Sequence, residues 1–443
     1  MKYIEHIKSV ILFLLIALSM ALTFLTWNYR PKYQTIEDIQ IEHITLGEQK
    51  VLNRVVKPYR LLFKAEEDFT GTVSSEVIDA LMDEFSNMEA NDLTLINHNL
   101  ADDKLNEMLR APNRMTLLFQ ADIPMPTFAS ILPFHDNKDI PETTFDRIII
   151  DWSQLTVAGQ LQFLFINADN RTLYRSFVKV YDKAAFKRNF IDRAAKLDSY
   201  MEIERPGTTS LYVLTNPTEI LPYTYSVGTI STDLLKKILF TDPNIVQRNI
   251  ESAQTEKYTD GMSLMRLDAQ NQSIHYVYPP AESLSPIAAS ILIKDSIDFL
   301  NEHGGITEDY RFAAMNYQKH IIDYRMFFED LPVYSDTTFT RISTTWGDNR
   351  IFRYRRPYYV FDMNLPDDKA AKELASGPQI IEQIQSNLKT DINEIDDLVI
   401  GYYLVHDADA QLITLEPNWF MLTESGWERL TPERSGGAEY GLE

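Results

Sequence analysis

The side chains suited to acid–base or metal chemistry are spread thinly along this chain. The eight histidines, His6, His43, His98, His135, His275, His303, His320 and His406, fall in neither HExxH nor HxH spacing. A zinc ligand set would have to assemble from distant positions. Cysteine is absent, which removes disulfides, thiolate metal sites and cysteine nucleophiles. There is no GxSxG elbow, GxxxxGK phosphate loop or EF-hand loop. Asp407 and Asp409 fall in an expected hairpin turn, where acidic residues are ordinarily just solvated. A glycosidase needs two carboxylates about 5–10 Å apart across a cleft. Carboxylates are plentiful, but their sequence spacing does not say which of them meet. The residues therefore predict no catalytic group, no cofactor and no metal.

Charge narrows the partners. The chain of 443 residues carries a formal net charge of −22. Up to residue 32, Lys2, Lys8, Arg30 and Lys32 stand against Glu5 alone, so the remainder holds 38 basic and 63 acidic side chains. Such a surface repels nucleic acid and anionic head groups. One local exception is the run Arg350, Arg353, Arg355 and Arg356, interleaved with Phe352, Tyr354, Tyr358 and Tyr359. It is a candidate stripe for an anion or a partner, weighed against a plain solvated strand face. The alternation in 323–328 suits a half-buried strand.

The segment that must position everything else is 9–29, SVILFLLIALSMALTFLTWNY, which holds no charge. At about 1.5 Å per residue it can cross a hydrocarbon core of about 30 Å. Lys8 closes one end; Trp27, Tyr29, Arg30 and Lys32 close the other. It is long for a signal peptide, and no small-x-small site follows it. We expect a single membrane-spanning helix. At about 100° per residue, Ala17 and Ala21 share one side and Ser19, Thr23 and Thr26 lie nearly opposite. A small-xxx-small pair admits a second backbone, and hydroxyls can bond between helices in lipid. These five residues are the candidate partner interface.

After the anchor, helical and strand periods alternate, an α+β pattern. Helices are expected near 74–87 and 101–109, and strands at 61–63, 114–120 and 147–152. From 161 the order becomes hairpin, helix, hairpin: 161–167 and 172–180 around Ala168-Asp169-Asn170-Arg171, a helix at 183–197, then 200–204 and 210–215. The order recurs at 262–268 with 274–278, a helix at 284–300, and 310–316 with 320–328. Further strands follow at 338–345, 351–361, 398–406 and 411–420, with a helix over 367–388 broken near Gly377-Pro378. The expected division is a short cytoplasmic segment 1–8, the membrane helix 9–29, and three extracytoplasmic α+β domains at 30–155, 156–255 and 256–443. The last domain ends in a mobile tail. The two later domains would share a hairpin–helix–sheet topology.

The anchor MKYIEHIKSVILFLLI, then FLFINADNRTLYR, DGMSLMRLDAQNQSIHYVYPP, NEHGG, DYRMFFEDLPVYSD and IGYYLVHDADAQLITLEPNWF occur in an order that resembles the YycH (WalH) family of low-GC Gram-positive bacteria. The resemblance implies a single-pass membrane protein with an extracytoplasmic bulk and a cytoplasmic amino terminus. It implies an accessory regulator of a WalK-like sensor histidine kinase in cell-wall homeostasis, partnered by a YycI-like sister protein, and not an enzyme. It leaves open the sign of regulation, the signal and the stoichiometry. Two other readings are an extracytoplasmic sensor of a wall or lipid-linked fragment, which needs a pocket with convergent polar groups, and a wall hydrolase, which needs a paired-acid cleft.

Overall fold

The computed structural model describes residues 12–20, 22, 46–65, 68–135, 140–365, 370–388 and 390–430. Residues 12–20 form an apolar helix whose side chains are exposed. Most of the expected membrane segment lies outside the described residues, as do Ala21, Thr23, Thr26 and the tail beyond 430. Among the described residues no helix is long and apolar enough to cross a membrane. Residues Thr45–Glu443 are a separate compact unit.

In that unit, strands β1 (Arg60–Lys64), β2 (Phe69–Thr72), β3 (Glu89–Asn97), β4 (Arg114–Pro124), β5 (Thr144–Asp151), β6 (Gln160–Asn167), β7 (Thr172–Lys179), β8 (Asp198–Ile203) and β9 (Leu211–Leu214) build one antiparallel sheet. Its order is β3-β7-β6-β5-β4-β1-β2-β8-β9. Both faces are covered, and the residues show it. On β5, Ile148 and Ile150 join one core while Ile149 joins another; on β6, Phe163 and Phe165 oppose Leu164 and Ile166. Successive side chains of a strand point to opposite faces, so these near-continuous apolar runs need helices on both sides. One face receives the helix Ser75–Phe85, which turns Val77, Ile78, Leu81, Met82 and Phe85 inward at helical spacing. Phe85, Phe119, Phe128, Phe145, Phe163 and Phe165 then meet mostly edge to face, with centroids 5.2–6.3 Å apart. The other face receives Asp102–Arg110 through Leu105 and Leu109.

The second sheet contains β11 (Tyr223–Thr229), β12 (Gln247–Ser252), β13 (Thr255–Thr259), β14 (Leu264–Asp268), β15 (Ser273–Val277), β16 (Asp309–Asn316), β17 (Ile321–Phe328), β18 (Leu331–Tyr334), β19 (Arg341–Trp346), β20 (Ile351–Pro357), β21 (Tyr359–Asn364), β23 (Asp397–Asp407), β24 (Leu412–Thr423) and β25 (Gly426–Leu430). Strands β10 (Thr218–Ile220) and β22 (Lys372–Leu374) pair with each other. The helix Ala289–Glu302 lies on one face of this sheet: Ser296 bonds Tyr324 and Thr344 at 2.8 Å, and Phe299 meets the Tyr354 ring at 5.2 Å.

The hairpin–helix–hairpin order is present in both expected regions, but the sheets are wired differently. Strands β6–β7 and β8–β9 are separated by β5, β4, β1 and β2, which precede them or lie farther back in the chain. Hairpins β14–β15 and β16–β17 are joined through β19 and β20, which follow them. The boundary at 155/156 is crossed by β5 pairing with β6, and that at 255/256 by β12 pairing with β13. The sheets change over near residue 215 instead. The helix expected over 367–388 is not broken at Gly377-Pro378; it starts there, as Gly377–Gln383, and continues in a π-turn. Proline lacks the N–H that the first turn leaves unbonded anyway, and Ser376 with Gln379 forms a capping box.

The incoming chain seats on the second sheet's half. Leu46 and Gly47 donate to the Gly304 carbonyl at 2.7 and 2.9 Å, and Glu48 exchanges backbone bonds with Ile306. Asn301 holds both backbone groups of Lys50. Gly47 is required by contact: a Cβ there would lie 2.1 Å from the Ile306 oxygen.

Candidate functional site

The two sheets meet at a buried ion pair. Arg60, at the start of β1, places Nη2 2.6 Å from Asp397 Oδ1 at the start of β23, across 337 positions of sequence. Tyr59 donates its hydroxyl to the other carboxylate oxygen at 2.5 Å. Arg60 Nη1 donates to the Tyr212 carbonyl at 2.7 Å. Arg60 is 4% exposed. Burial opposes its charge, and the Asp397 carboxylate more than restores it, leaving the pKa above the ordinary arginine value. A second arginine, Arg205, extends from the first sheet's half to the Ile392 and Ile395 carbonyls.

Two hollows flank this clasp and share Tyr59 and Arg60. One is a cleft of about 420 Å³ walled by Tyr200, Tyr223, Tyr402, Trp419, Leu221 and Leu331. Glu329 and Asp330 stand at its edge in the turn between β17 and β18, both left-handed, with φ of 45° and 67°. Such a turn usually takes Asn-Gly, so these carboxylates sit where side chains are costly. Tyr223 is pushed above its ordinary pKa by burial and then by the Glu329 charge. The other hollow, about 510 Å³, is polar and gathers Gln120, Asp122, Asp146, Arg147, Asp169, Ser210, Asp396 and Asp397. Asp146 is held by Arg147 at 2.5 Å and Asp397 by Arg60. Burial raises the pKa of Asp122 and of Asp396.

The arginine run is not one stripe. Strand alternation sends Arg353 and Arg355 to one face of β20 and Arg356 to the other. Arg356 is 1% exposed and bonds the Pro357 carbonyl and Thr307. Arg350 sits in the preceding turn with its guanidinium 4.0 Å from the Tyr278 ring centroid. What the strand pattern could not supply is the neighbours. Register sets Lys257 opposite Arg266, Arg266 opposite His275, and His275 opposite Arg355. Burial, then Arg355, Arg353 and Arg266, hold the His275 pKa below its ordinary value. Of the expected membrane-helix interface, Ala17 and Ser19 fall on the described helix 12–20. Tyr59, Arg60 and Asp397 had no local signal at all, being brought together only by the fold. Asp407 accepts from the Asp409 and Ala410 backbones, the behaviour of an ordinary turn residue.

Residues 5–193 match the family model described as YycH protein, N-terminal domain, and residues 208–435 match YycH protein, C-terminal domain. The chain belongs to the YycH family. The stretch between the two matches holds β8, and β9 of the first sheet falls within the C-terminal match. Among relatives, the Bacillus subtilis (strain 168) protein named "Two-component system WalR/WalK regulatory protein YycH" is 21% identical, over 99% of each chain. The crystal structure of YycH from Bacillus subtilis shares the fold, with a TM-score of 0.75, covering 88% of this chain and all of that one at 17% identity.

Proposed function

We propose that this YycH-family chain is a membrane-anchored, extracytoplasmic accessory regulator of a WalK-like sensor histidine kinase, acting through protein contacts rather than catalysis. The observation that carries the reading is the co-linear match over almost the whole chain to a relative named as a WalR/WalK regulator. The uncharged segment 9–29 supports a single anchor; in this reading, which takes its orientation from the family, the amino terminus is cytoplasmic and the bulk lies outside. A YycI-like sister protein is the second partner in this reading. The output is cell-wall homeostasis. The test is affinity purification of the tagged full-length protein from membranes, followed by identification of what comes with it. Recovery of a sensor kinase and a second single-pass protein supports the reading; a stable preparation lacking both overturns it.

The cleft of about 420 Å³ favours a second reading, an extracytoplasmic sensor for an apolar fragment. The acids of the polar hollow are the feature a wall hydrolase would need. Two of them are engaged by arginines, which favours a structural role for those two. Wall digestion by the purified protein that is lost in Asp122→Asn would restore the hydrolase.

A further inference from the structure

The cleft of about 420 Å³ has a wall and an edge of different chemistry. The wall is aromatic. Trp419 is held by its indole N–H on the Ala375 carbonyl at 2.9 Å, and Tyr402 by its hydroxyl on the Leu221 carbonyl at 3.0 Å, so both rings are fixed in place. Tyr223 meets the Tyr402 ring at 6.1 Å and the Phe328 ring at 5.0 Å. Tyr200 lines the cleft at 8% exposure, and among the described residues its hydroxyl makes no hydrogen bond. The edge is acidic, with Asp198, Glu219, Glu329 and Asp330. Among the described residues the first three enter no ion pair. Asp330 reaches Arg311 at 3.9 Å, a guanidinium that Asp309 already holds at 2.7 Å. Among the described residues lining the cleft the one cation is Arg60, and Asp397 holds it at 2.6 Å. Burial, and the Glu329 charge with it, hold the Tyr223 and Tyr402 hydroxyls above their ordinary pKa, so the acidic edge acts on the aromatic wall.

We propose that this cleft binds a small molecule made of an apolar body and an ammonium group. The inference deepens the sensor reading of the cleft and rests on it. A neutral apolar guest uses the wall and leaves the edge unanswered. An anion meets four carboxylates and a cation that is already engaged. An ammonium answers both parts. Aromatic faces attract a cation within about 6 Å, and hydrogen bonds from an ammonium to carboxylates are charge-assisted. A primary ammonium also brings three donors, for which the Tyr200 hydroxyl is a buried acceptor. The volume lies in the range of small-molecule sites. Glu329 and Asp330 make up a two-residue turn closed by Phe328 pairing with Leu331, and both are left-handed. Such a turn favours Asn-Gly, so the turn itself has no need of their carboxylates. The amino end of the helix Ser75–Phe85 borders the cleft at Ser74, which makes an anion the comparison that matters.

The experiment is a calorimetric titration of the full-length protein in a maltoside detergent at pH 7, with detergent alone as the blank. The probe is 2-phenylethylamine, which is protonated at that pH. The comparisons, 2-phenylethanol and 3-phenylpropanoate, carry the same ring with a neutral and an anionic head. The expected result is saturable binding of the amine, about tenfold or more tighter than either comparison. Glu329→Asn/Asp330→Gly removes both carboxylates and gives the turn its favoured residues. It should weaken amine binding about tenfold or more, while the melting temperature stays the same or rises. Tyr200→Phe should weaken the amine and leave 2-phenylethanol as in the parent. If 2-phenylethanol binds as tightly as the amine, or if the turn variant binds the amine like the parent, this inference fails and the apolar-fragment reading stands. Tighter binding of 3-phenylpropanoate overturns the inference in favour of an anion at the helix end. If none of the three binds, the inference and the sensor reading of the cleft fail together.

Discussion

Glu308 offers a prediction in which the sign and the size both come from the structure. It lies just beyond the Gly304–Ile306 backbone that receives the incoming chain. Burial pushes its carboxyl from the ordinary 4.5 up to about 7, against the pull of Arg356 and Lys50 and a bond from the Phe361 backbone. A folded pKa raised above the unfolded one means that the folded state holds the extra proton between those values. Stability from this group is therefore complete below about pH 4.5 and is lost as pH rises through about 7. A shift of this size corresponds to about 3 kcal/mol at 1.36 kcal/mol per unit. Residual solvent access reduces that to about 2 kcal/mol. Glu308→Gln keeps the shape of the protonated acid and cannot ionise. Relative to the parent, it should be near neutral at pH 4.5 and more stable by about 2 kcal/mol at pH 8. Urea unfolding of both proteins at each pH, followed by tryptophan fluorescence, measures the difference of differences, in which all other titrating groups cancel. Equal pH dependence in parent and variant would refute the reasoning, as would a variant that loses stability at pH 8.

Three further outcomes follow from particular contacts. Arg60→Leu should cost about 3–5 kcal/mol, because it strands Asp397 without its cation, whereas Arg60→Leu/Asp397→Leu should recover part of the loss; denaturant unfolding of both variants provides the coupling. Gly47→Ala forces a Cβ against the Ile306 carbonyl and should cost about 1–3 kcal/mol, with hydrogen-exchange protection lost at 46–50 and 304–306 together and retained elsewhere. In the proposed membrane helix, Ala17→Leu/Ala21→Leu and Ser19→Leu/Thr23→Leu/Thr26→Leu should each weaken association with a different partner in a two-hybrid assay; unchanged association in both would leave the helix as a tether only.

The parts of this fold that were legible in the sequence are those whose burial is set within one element. The helix Ser75–Phe85 is amphipathic enough to be read from five apolar residues, all of which are buried. Strand β12, QRNIES, is exposed at every position and so gives no alternation to read. Strand β4 runs past its expected end at 120, through Ile123 to Pro124, because its pairing with β5 resumes after an irregularity between Leu118 and Ile123. The domain boundaries were not legible for a related reason. Periodicity identifies strands but not their partners, and the pairing of β5 with β6 carries the first sheet straight through residue 155.

The arginine run shows where sequence reasoning stops and register begins. Period-two alternation is itself a sequence property, and it separates Arg356 from Arg353 and Arg355 without any coordinates. What it cannot reveal is that Arg266 and His275, some 80–90 positions earlier, occupy the same face in consecutive register. The Arg60–Asp397 clasp is the same case at greater separation. Each group alone reads as an unremarkable charge beside an apolar strand. Only the sheet order decides that one pair is a buried link between halves and that the other residues line up across four adjacent strands. Removing one member of the clasp should destabilise the protein, because a buried charge is left unpaired.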